Sequence, residues 1–483
     1  MKQAFLFLIF IPVFCFGQGF GFEDETGQGS SFLSSALNIN GEIEVGPLFF
    51  VHDFKKGADS LVIEDFVNAK LNFDVNGKNA SAFIGLNLSY SAFEELKDGD
   101  FTLYPPALVD EMWLRGYFDR LSVQAGLIKV RWGRMYSPGP LDIVNPLDYS
   151  DLTNLTESKD MKIARPMVYA SYKVNDFSGI EAVFLPNFAP HRFAQDGRWV
   201  PGQYSNIAPV FIEGIFNRAL QINPSFIPVF QSLLALPSGS SLISYEFPDT
   251  STLDYFQAGL RFNTVIGPCD LGFQYFYGNY MRPSVSLNGV DDFITSVPPL
   301  LVPPTAHIEY TRYHQIGVDY SQVLFGFTLR AEFAAHITGD VRGDNGNVKN
   351  PFLAWSLGFD RDIFAGLNIN LQYNGTGRLL DNKVIKNPAL DCEGASEDTS
   401  TRLILQISKN FFRDRLECKV VNIWDIEGDK IKDSGAVIIP SVAWSVNDTR
   451  VELSAGIFAG DEKSELGQYW ENSYIKLKLI YSF

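Results

Sequence analysis

A strict alternation of apolar and polar residues constrains the fold of this chain more than any other feature. In residues 67–75 every odd position is apolar and every even position is polar, and the same alternation recurs in 327–333 and 367–373. A period of two is the period of a β-strand whose two faces meet different environments. These segments therefore predict strands with one apolar face and one polar face.

The connections between such segments alternate in length. Turns such as 76–79, 119–120 and 447–449 are short and rich in Asn, Asp and Gly, whereas every other connection is long, as in 131–165 and 186–253. A strand protein can span a membrane only as a closed barrel, with short turns on one rim and long loops on the other. We predict an all-β fold, a transmembrane antiparallel up-and-down barrel of about 18 strands, with 16 strands as the alternative, short periplasmic turns and long extracellular loops.

The first 17 residues predict export. Lys2 gives a positive start, an apolar run follows to Phe16, and Gly17 is small, so we expect a signal peptide (1–17) cleaved before about Gln18. A lipoprotein acylated at Cys15 is the alternative. No later apolar run is long enough for a transmembrane helix. We expect a lead-in segment over 18–35 and a single barrel over 36–483.

The last ten residues have the sharpest local pattern. One face is apolar and ends on phenylalanine, and the other carries Lys476 and Lys478; the apolar face is formed by Ile475, Leu477, Leu479, Tyr481 and Phe483. This strand resembles the C-terminal signal by which the barrel-assembly machinery recognises outer-membrane proteins. The expected location is the outer membrane, and the expected partners are that machinery, the membrane lipid and small solutes.

Closure of a barrel requires the first strand to pair with the last. An antiparallel alignment of residues 36–47 with 473–483 places Glu42 opposite Lys478 and Glu44 opposite Lys476. Because a cross-strand pair of opposite charge stabilises one register, we predict that these pairs close the barrel.

The polar faces of the predicted strands carry charges of both signs in rough balance. A wide barrel admits water, so such charges need no buried partner, and a solvated wall with cross-strand ion pairs is the ordinary interpretation. The candidates that line the lumen are Lys70, Asp74, Glu111, Arg115, Arg330, Glu332, Arg415, Glu417 and Lys419.

The third long loop, residues 131–165, is dense in charge. In general porins the third loop folds into the lumen, and by that analogy this loop is the candidate for a pore constriction. An outward-facing, solvated loop is an equal alternative. The constriction candidates are Arg131, Arg134, Asp142, Asp148, Asp151, Lys159, Asp160, Lys162 and Arg165.

Three short motifs in and after this loop resemble a known family. Trp132-Gly133, the run 144–148 (VNPLD) and the run 166–171 (PMVYAS) are similar to the corresponding stretch of a family of Gram-negative outer-membrane barrels known only as a domain of unknown function. The resemblance implies a barrel with transport or channel work and supplies no substrate.

Composition excludes several classes of function. The net charge of -17, which becomes -18 without Lys2, leaves no basic excess for nucleic acid. None of the five histidines has the spacing of a nucleophile or metal site, so we expect no enzyme activity, metal or cofactor.

The predicted function is passive diffusion of small solutes through a polar lumen. One alternative is a selective importer of hydrophobic molecules, suggested by two apolar, helix-like stretches in the fourth long loop (210–220 and 227–236). The other is a surface-exposed adhesin or structural barrel.

Overall fold

The computed structural model describes residues 37–55, 63–89, 108–156, 161–202, 207–235, 243–296, 302–364, 366–428 and 434–483. The predicted signal peptide, its cleavage site and the lead-in segment lie outside these residues.

Within the described residues, 18 strands form one closed antiparallel sheet, as predicted. Each strand pairs with the next along the chain, and the last pairs with the first. The strands are β1 (Leu37–Phe50), β2 (Ile63–Asn76), β3 (Ala80–Ser89), β4 (Val109–Phe118), β5 (Leu121–Ile128), β6 (Arg165–Lys173), β7 (Ser178–Leu185), β8 (Gln257–Ile266), β9 (Cys269–Asn279), β10 (Arg312–Leu324), β11 (Phe327–Thr338), β12 (Phe352–Asp362), β13 (Leu367–Arg378), β14 (Thr399–Phe411), β15 (Leu416–Glu427), β16 (Gly435–Val446), β17 (Thr449–Gly460) and β18 (Tyr474–Ser482).

Short turns follow the even-numbered strands, and long loops follow the odd-numbered ones. We number the loops L1 to L9 in chain order; those used below are L3 (129–164), L4 (186–256), L5 (280–311) and L9 (461–473). The short turns therefore share one rim of the barrel and the loops share the other. This is the layout of outer-membrane barrels.

Apolar side chains cover the outside of the barrel wall. Leu114 is 69% exposed, Leu260 56%, Ile316 54% and Leu453 52%, whereas their neighbours along each strand point inward. Large apolar side chains on a wall of this kind are solvated by lipid rather than by water. The alternation in the sequence is thus an alternation between lipid and lumen.

Exposed phenylalanines mark the rim that carries the short turns. Phe325 is 93% exposed, Phe364 71%, Phe177 68% and Phe412 67%, and each lies in a different turn. Phe325 and Phe412 have positive φ angles of 52° and 54°. A bulky residue rarely adopts this conformation, so the backbone is strained at Phe325 and Phe412.

The predicted closing pairs are wrong. Strands β1 and β18 are antiparallel neighbours, as predicted, but Glu42 lies opposite Ser482 rather than Lys478. The observed register therefore differs from the predicted one by four residues, the difference between 482 and 478. The predicted partner of Glu44, Lys476, is displaced in the same way.

The closing register depends on the geometry of the whole barrel. The backbones of Gly41 and Phe483 exchange two hydrogen bonds of 3.0 Å, and the Glu42 carboxylate lies 3.2 Å from Lys70 on β2 instead of pairing with β18. In a closed sheet the stagger accumulated over all strands fixes this register, and one charge pair cannot override it. A displacement by an even number leaves each side chain on its predicted face.

The loops carry short elements of their own. The described residues include the helices α1 (Val51–Lys55), α2 (Ile207–Ile222), α3 (Ile227–Leu234) and α4 (Val290–Thr295). Short strands and 3-10 turns complete the loops: Asp148–Tyr149, Arg192–Phe193, Ser244–Glu246, Ser284–Asn288 and Thr305–Glu309 are strands, and Leu152–Asn154, Pro224–Phe226, Leu253–Tyr255, Asp381–Lys383 and Gly467–Asn472 are 3-10 turns. Among the described residues, none of the helices has the length and apolar character needed to cross a membrane.

Helices α2 and α3 pack against α4 in an apolar cluster formed by L4 and L5. Phe211 and Ile215 of α2 are 2% and 1% exposed and contact this cluster, which also contains Phe230 and Phe293. The fourth loop is therefore helical where the sequence predicted it. Phe211 and Ile215 face this cluster and therefore do not offer a docking surface to a hydrophobic solute.

Candidate functional site

Loop L3 runs through the interior of the barrel. The Trp132 indole N–H donates to Glu181 of β7 at 3.0 Å, and Ser137 N donates to Gln372 of β13 at 3.0 Å. Both acceptors lie on the inward face of the wall, six strands apart in the order of the sheet. A loop that touches inward-facing side chains over such an arc must lie in the lumen.

A single carboxylate holds the backbone of L3. Glu332 of β11 is 3% exposed. Its Oε1 accepts hydrogen bonds from the backbone N of Arg134 at 2.5 Å and of Met135 at 3.0 Å, and its Oε2 accepts one from Leu141 N at 3.4 Å. Hydrogen bonds to an ionised acceptor are stronger than neutral ones. Glu332 therefore anchors both ends of the segment 134–141 to the wall.

An ion network ties the same segment to three strands. Arg134 Nε lies 2.5 Å from Asp319 of β10, and Arg261 of β8 lies 2.6 Å from the other oxygen of Asp319. Asp270 of β9 is 3.8 Å from Arg134. The Asp319 side chain is fully buried, so removing one of its two arginines would leave a poorly compensated buried charge.

Two glutamine side chains and a glycine also allow L3 to bind closely to the wall. Gln274 Nε2 donates to Leu141 O at 3.0 Å, and Gln315 Nε2 donates to Pro140 O at 2.8 Å. Gly317 of β10 faces inward, and a Cβ atom at this position would overlap Leu141. The missing side chain is what allows L3 to approach the wall.

The tip of L3 reaches the closing seam on the far side. Lys476 Nζ of β18 donates to Thr153 Oγ1 and to Asn154 Oδ1, both at 3.1 Å. The Tyr474 hydroxyl donates to Thr153 O at 3.1 Å. Asp151 caps this 3-10 turn by accepting from Thr153 N at 2.8 Å. L3 thus spans the barrel from the β7–β13 wall to β18.

Tyr136 extends from L3 toward another part of the wall. Its side chain is 50% exposed, and its hydroxyl accepts from Gln406 of β14 at 3.4 Å. Arg131 is also exposed and donates to the carbonyl oxygens of Met135 and Tyr136. Both side chains are thus accessible to solvent.

Asp142 and Lys162 form an ion pair inside L3. The two charged atoms lie 2.6 Å apart, and the side chains are 4% and 9% exposed. Burial raises the pKa of Asp142 and lowers that of Lys162, in each case against the effect of the partner charge. Lys162 also donates to Val130 O at 2.9 Å. This pair shapes the loop and does not face the open lumen.

The remaining constriction candidates are dispersed. Asp148 pairs with Arg192 of L4 at 3.2 Å. Arg165 is the first residue of β6, is 1% exposed and donates to Asn187 at 2.7 Å, so its predicted place in the loop is wrong. Two further candidates lie outside the described residues: Lys159 and Asp160.

The predicted lumen residues lie on the inward face with one exception. Arg415 belongs to the turn 412–415 and is exposed, because three successive residues with positive φ delay the start of β15 to Leu416. The inward-facing residues are Lys70, Asp74, Glu111, Arg115, Arg330, Glu332, Glu417 and Lys419.

Most of these residues have polar partners. Glu417 lies 2.8 Å from Arg450, Arg330 lies 3.8 Å from Asp360, and Arg115 Nε donates to Gln124. Several are partly exposed, such as Arg450 at 31% and Glu417 at 29%. On this part of the wall, the charges face a solvated lumen.

One sector of the inner wall is apolar. Ile404, Val421, Val437 and Phe458 face inward from four successive strands, β14 to β17, and are at most 7% exposed. Leu152 of L3 packs into the same cluster. The lumen is therefore polar on one side and lined by a loop-covered apolar surface on the other, which differs from the expected polar interior.

A family model with the description "Protein of unknown function (DUF1302)" matches residues 61–384, more than half of the chain. The chain belongs to this family. The resemblance predicted from the third loop is thereby confirmed. In this DUF1302 barrel the motif residues hold L3: Trp132 is 1% exposed, and a Cβ on Gly133 would meet Glu332.

Asn145 of the same motif ties the two ends of L3 together. Its Oδ1 accepts from Val130 N at 2.7 Å, and its Nδ2 donates to the carbonyl oxygens of Ile128 at 2.8 Å and Ile163 at 2.9 Å. The family motif thus coincides with the base and the wall contacts of the internal loop.

Solved porin structures resemble the DUF1302 barrel over nearly its whole length. A BenF-like porin from Pseudomonas fluorescens Pf-5 is 10% identical, with 94% of this chain and 99% of that chain covered and a TM-score of 0.48. Pseudomonas aeruginosa OpdO is 8% identical (93% and 97% covered, TM-score 0.48). Pseudomonas aeruginosa OccK2 (OpdF), in complex with glucuronate, is 10% identical (94% and 96% covered, TM-score 0.46). Similarity this low adds nothing about the solute.

No curated protein matches the sequence. Across the part of the chain that the structure describes, no group of three or more His, Cys, Asp or Glu side chains is placed to hold a metal ion.

The anchors of L3 could not be identified as such in the sequence, although one signal points to them. Asp319, Arg261, Gln274 and Gln315 lie far from L3 along the chain. Inward positions of neighbouring strands carry glycine where other strands carry polar side chains; these are Gly259, Gly272, Gly317 and Gly358. Glycines grouped on one inner surface indicate the close approach of another segment.

Proposed function

We propose that this protein is an outer-membrane channel through which small solutes diffuse passively, with L3 as its constriction. The observation that carries the proposal is the path of L3, held at the β7–β13 wall by Glu332 and at the seam by Lys476. A loop fixed at both sides of the lumen narrows the path that a solute takes. Solutes cross such a constriction by diffusion, which requires no energy input. Charged groups on the open wall then filter solutes by size and charge.

The proposal includes a location and partners. The exterior apolar wall fits outer-membrane lipid, the C-terminal strand that ends at Phe483 is the segment offered to the barrel-assembly machinery, and the loops face outward from the cell. The hydrophobic-importer alternative gains no support from Phe211 and Ile215, because both are buried in the cluster of L4 and L5.

Conductance of the purified chain in a planar lipid bilayer tests the proposal. We expect discrete, voltage-independent current steps, and liposome swelling with small sugars and amino acids that declines with solute size. A correctly folded barrel that conducts no ions and admits no solute would contradict the channel and favour an adhesin or structural barrel.

Substitution of Tyr136 tests the role of L3. Tyr136→Ala removes the side chain that reaches Gln406, so we expect a higher single-channel conductance and a larger size limit in the swelling assay. The matched control is Tyr245→Ala, which removes a tyrosine of similar exposure, 43%, from the external part of L4. Equal conductance of the two variants would show that L3 does not form the constriction.

A further inference from the structure

A pocket lies on the loop side of L3, between L3, L4, L5, L9 and the inner wall of β14 and β15. Its cavity volume is about 60 Å³, and it is open to solvent. One side is apolar and is formed by Tyr149, Leu152, Phe193, Ile423 and Leu466. The rings of Tyr149 and Phe193 are stacked at 5.4 Å. This side matches the apolar body of a small molecule.

The same pocket is lined by Arg282, Arg402 and Glu465, which form a network of two arginines and two carboxylates together with Asp425. Glu465 of L9 accepts from Arg282 of L5 through Oε1 and from Arg402 of β14 through Oε2, the latter at 3.2 Å. Arg402 also binds Asp425 of β15 in a bidentate manner, at 2.5 and 3.1 Å. One carboxylate thus bridges two guanidinium groups at the surface of the pocket.

The four charges are not equally accessible. Arg282 is 41% exposed, Arg402 33% and Glu465 31%, whereas Asp425 is 7% exposed and lies behind Arg402. The face turned to the pocket therefore presents two positive charges and one negative charge. Each guanidinium has five N–H donors, so both arginines have donors beyond those used in these contacts.

Arg282 and Arg402 favour the ionised form of Glu465. Burial raises the pKa of Glu465, yet Arg282 and Arg402 together bring it down to about 2. The nearby His191 is neutral at pH 7, because burial lowers its pKa to about 3. The preference of the pocket for a carboxylate therefore comes from the two guanidinium groups and requires no ionised histidine or lysine.

We propose that this pocket binds small amphipathic organic anions, carboxylates with a ring-sized apolar body, on their way through the barrel. The inference rests on the proposed channel function and names its preferred solutes. The carboxylate binds Arg282 and Arg402, for which guanidinium geometry is suited. The ring packs between Tyr149 and Leu152, where burial of its apolar surface adds binding energy.

Block of the ion current by four small probes tests this specificity. Benzoate carries both the ring and the charge, acetate only the charge, benzyl alcohol only the ring, and benzylammonium the opposite charge. In planar bilayers we expect benzoate to block at a concentration about tenfold lower than any of the other three, a ratio typical of one charge-assisted contact. Equal block by all four probes would overturn the proposal.

Two substitutions should change the half-blocking concentration of benzoate in opposite directions. Arg282→Gln removes one guanidinium, so the half-blocking concentration of benzoate should rise about tenfold. Glu465→Gln removes the competing negative charge, so that concentration should fall. A purely structural role of the network predicts the same direction for both variants. The matched control, Arg218→Gln, removes a guanidinium that pairs with Asp291 between helices α2 and α4, away from the lumen wall, and should leave benzoate block unchanged.

A second measurement separates this inference from the channel itself. Calorimetric titration of the detergent-solubilised chain with benzoate detects binding whether or not the barrel conducts. Conductance without benzoate binding or block would defeat the pocket proposal and leave the channel intact. Benzoate binding by a non-conducting barrel would defeat the channel and retain the binding site.

Discussion

At the scale of single residues, the inner loop depends on a few polar side chains that meet backbone groups. Glu332 is the clearest example, because its two oxygens accept from three backbone N–H groups of L3. A carboxylate in this position makes the loop path specific, since a displaced loop would leave the buried charge without donors.

Glu332→Gln tests this anchor. The amide keeps the shape of the side chain but loses the charge and one acceptor, which should weaken the seat of L3 by about 1–3 kcal/mol. We expect more frequent current fluctuations in single-channel records at unchanged protein yield. Glu452→Gln, which alters an inward-facing carboxylate paired with Arg450, is the control. Identical records for the two variants would contradict an anchoring role.

The sequence predicted correctly for most positions which side chains face inward, but it did not predict which residues these side chains bind. The period of two places Lys70 and Glu332 on the inner face without further knowledge. It cannot show that Glu332 binds L3, because the two segments are almost 200 residues apart and meet only in the closed barrel. Arg415 was misplaced since a local turn conformation, invisible to periodicity, delays its strand.

At the scale of elements, the seam between β1 and β18 carries the most direct test of register. Gly41 and Phe483 exchange backbone hydrogen bonds, so the next pair, Glu42 and Ser482, is a non-hydrogen-bonded pair. The Cα atoms of such pairs are about 4.5 Å apart, within disulfide range. Glu42→Cys with Ser482→Cys should form a disulfide on oxidation, detected by altered migration of the heated, unreduced barrel.

The register predicted from charge supplies the comparison. Glu42→Cys with Lys478→Cys places the second thiol four residues along β18, about 13 Å away, too far to bridge. Both variants are first checked for folded, heat-modifiable migration. A disulfide in this second variant and none in the first would overturn the observed register.

The elements themselves follow closely from the sequence, and their arrangement inside the barrel does not. All 18 predicted strands are present because lipid on one face and water on the other impose the alternation at each strand. The pocket could not be predicted, since Arg282 and Glu465 lie in different loops, 183 residues apart. Only the closed wall brings those loops together.

At the scale of the whole molecule, the exposed phenylalanines of the short turns report how deeply the barrel sits in the membrane. Aromatic side chains favour the boundary between acyl chains and water, and outer-membrane barrels carry aromatic girdles at both interfaces. Phe325, at 93%, has the highest exposure among the large apolar side chains of the described residues. We therefore expect the turn rim to contact the inner leaflet of the outer membrane.

Fluorescence quenching by brominated lipids measures this contact. The variant Phe325→Trp should show stronger quenching than the unsubstituted chain when the bromines lie near the lipid headgroups. Tyr245→Trp, on the loop side, should add no quenching. Equal quenching of the two variants would place the turn rim in water.

The contacts of the L3 tip have a consequence for the order of biogenesis. Thr153 and Asn154 are held by Lys476, and Thr153 also by Tyr474, both on β18, the strand that closes the barrel against β1. Until that strand docks against β1, the tip has no partner on that side. In the proposed channel, the constriction is therefore completed by the same event that closes the wall, so a selective opening and an intact permeability barrier would arise in one step.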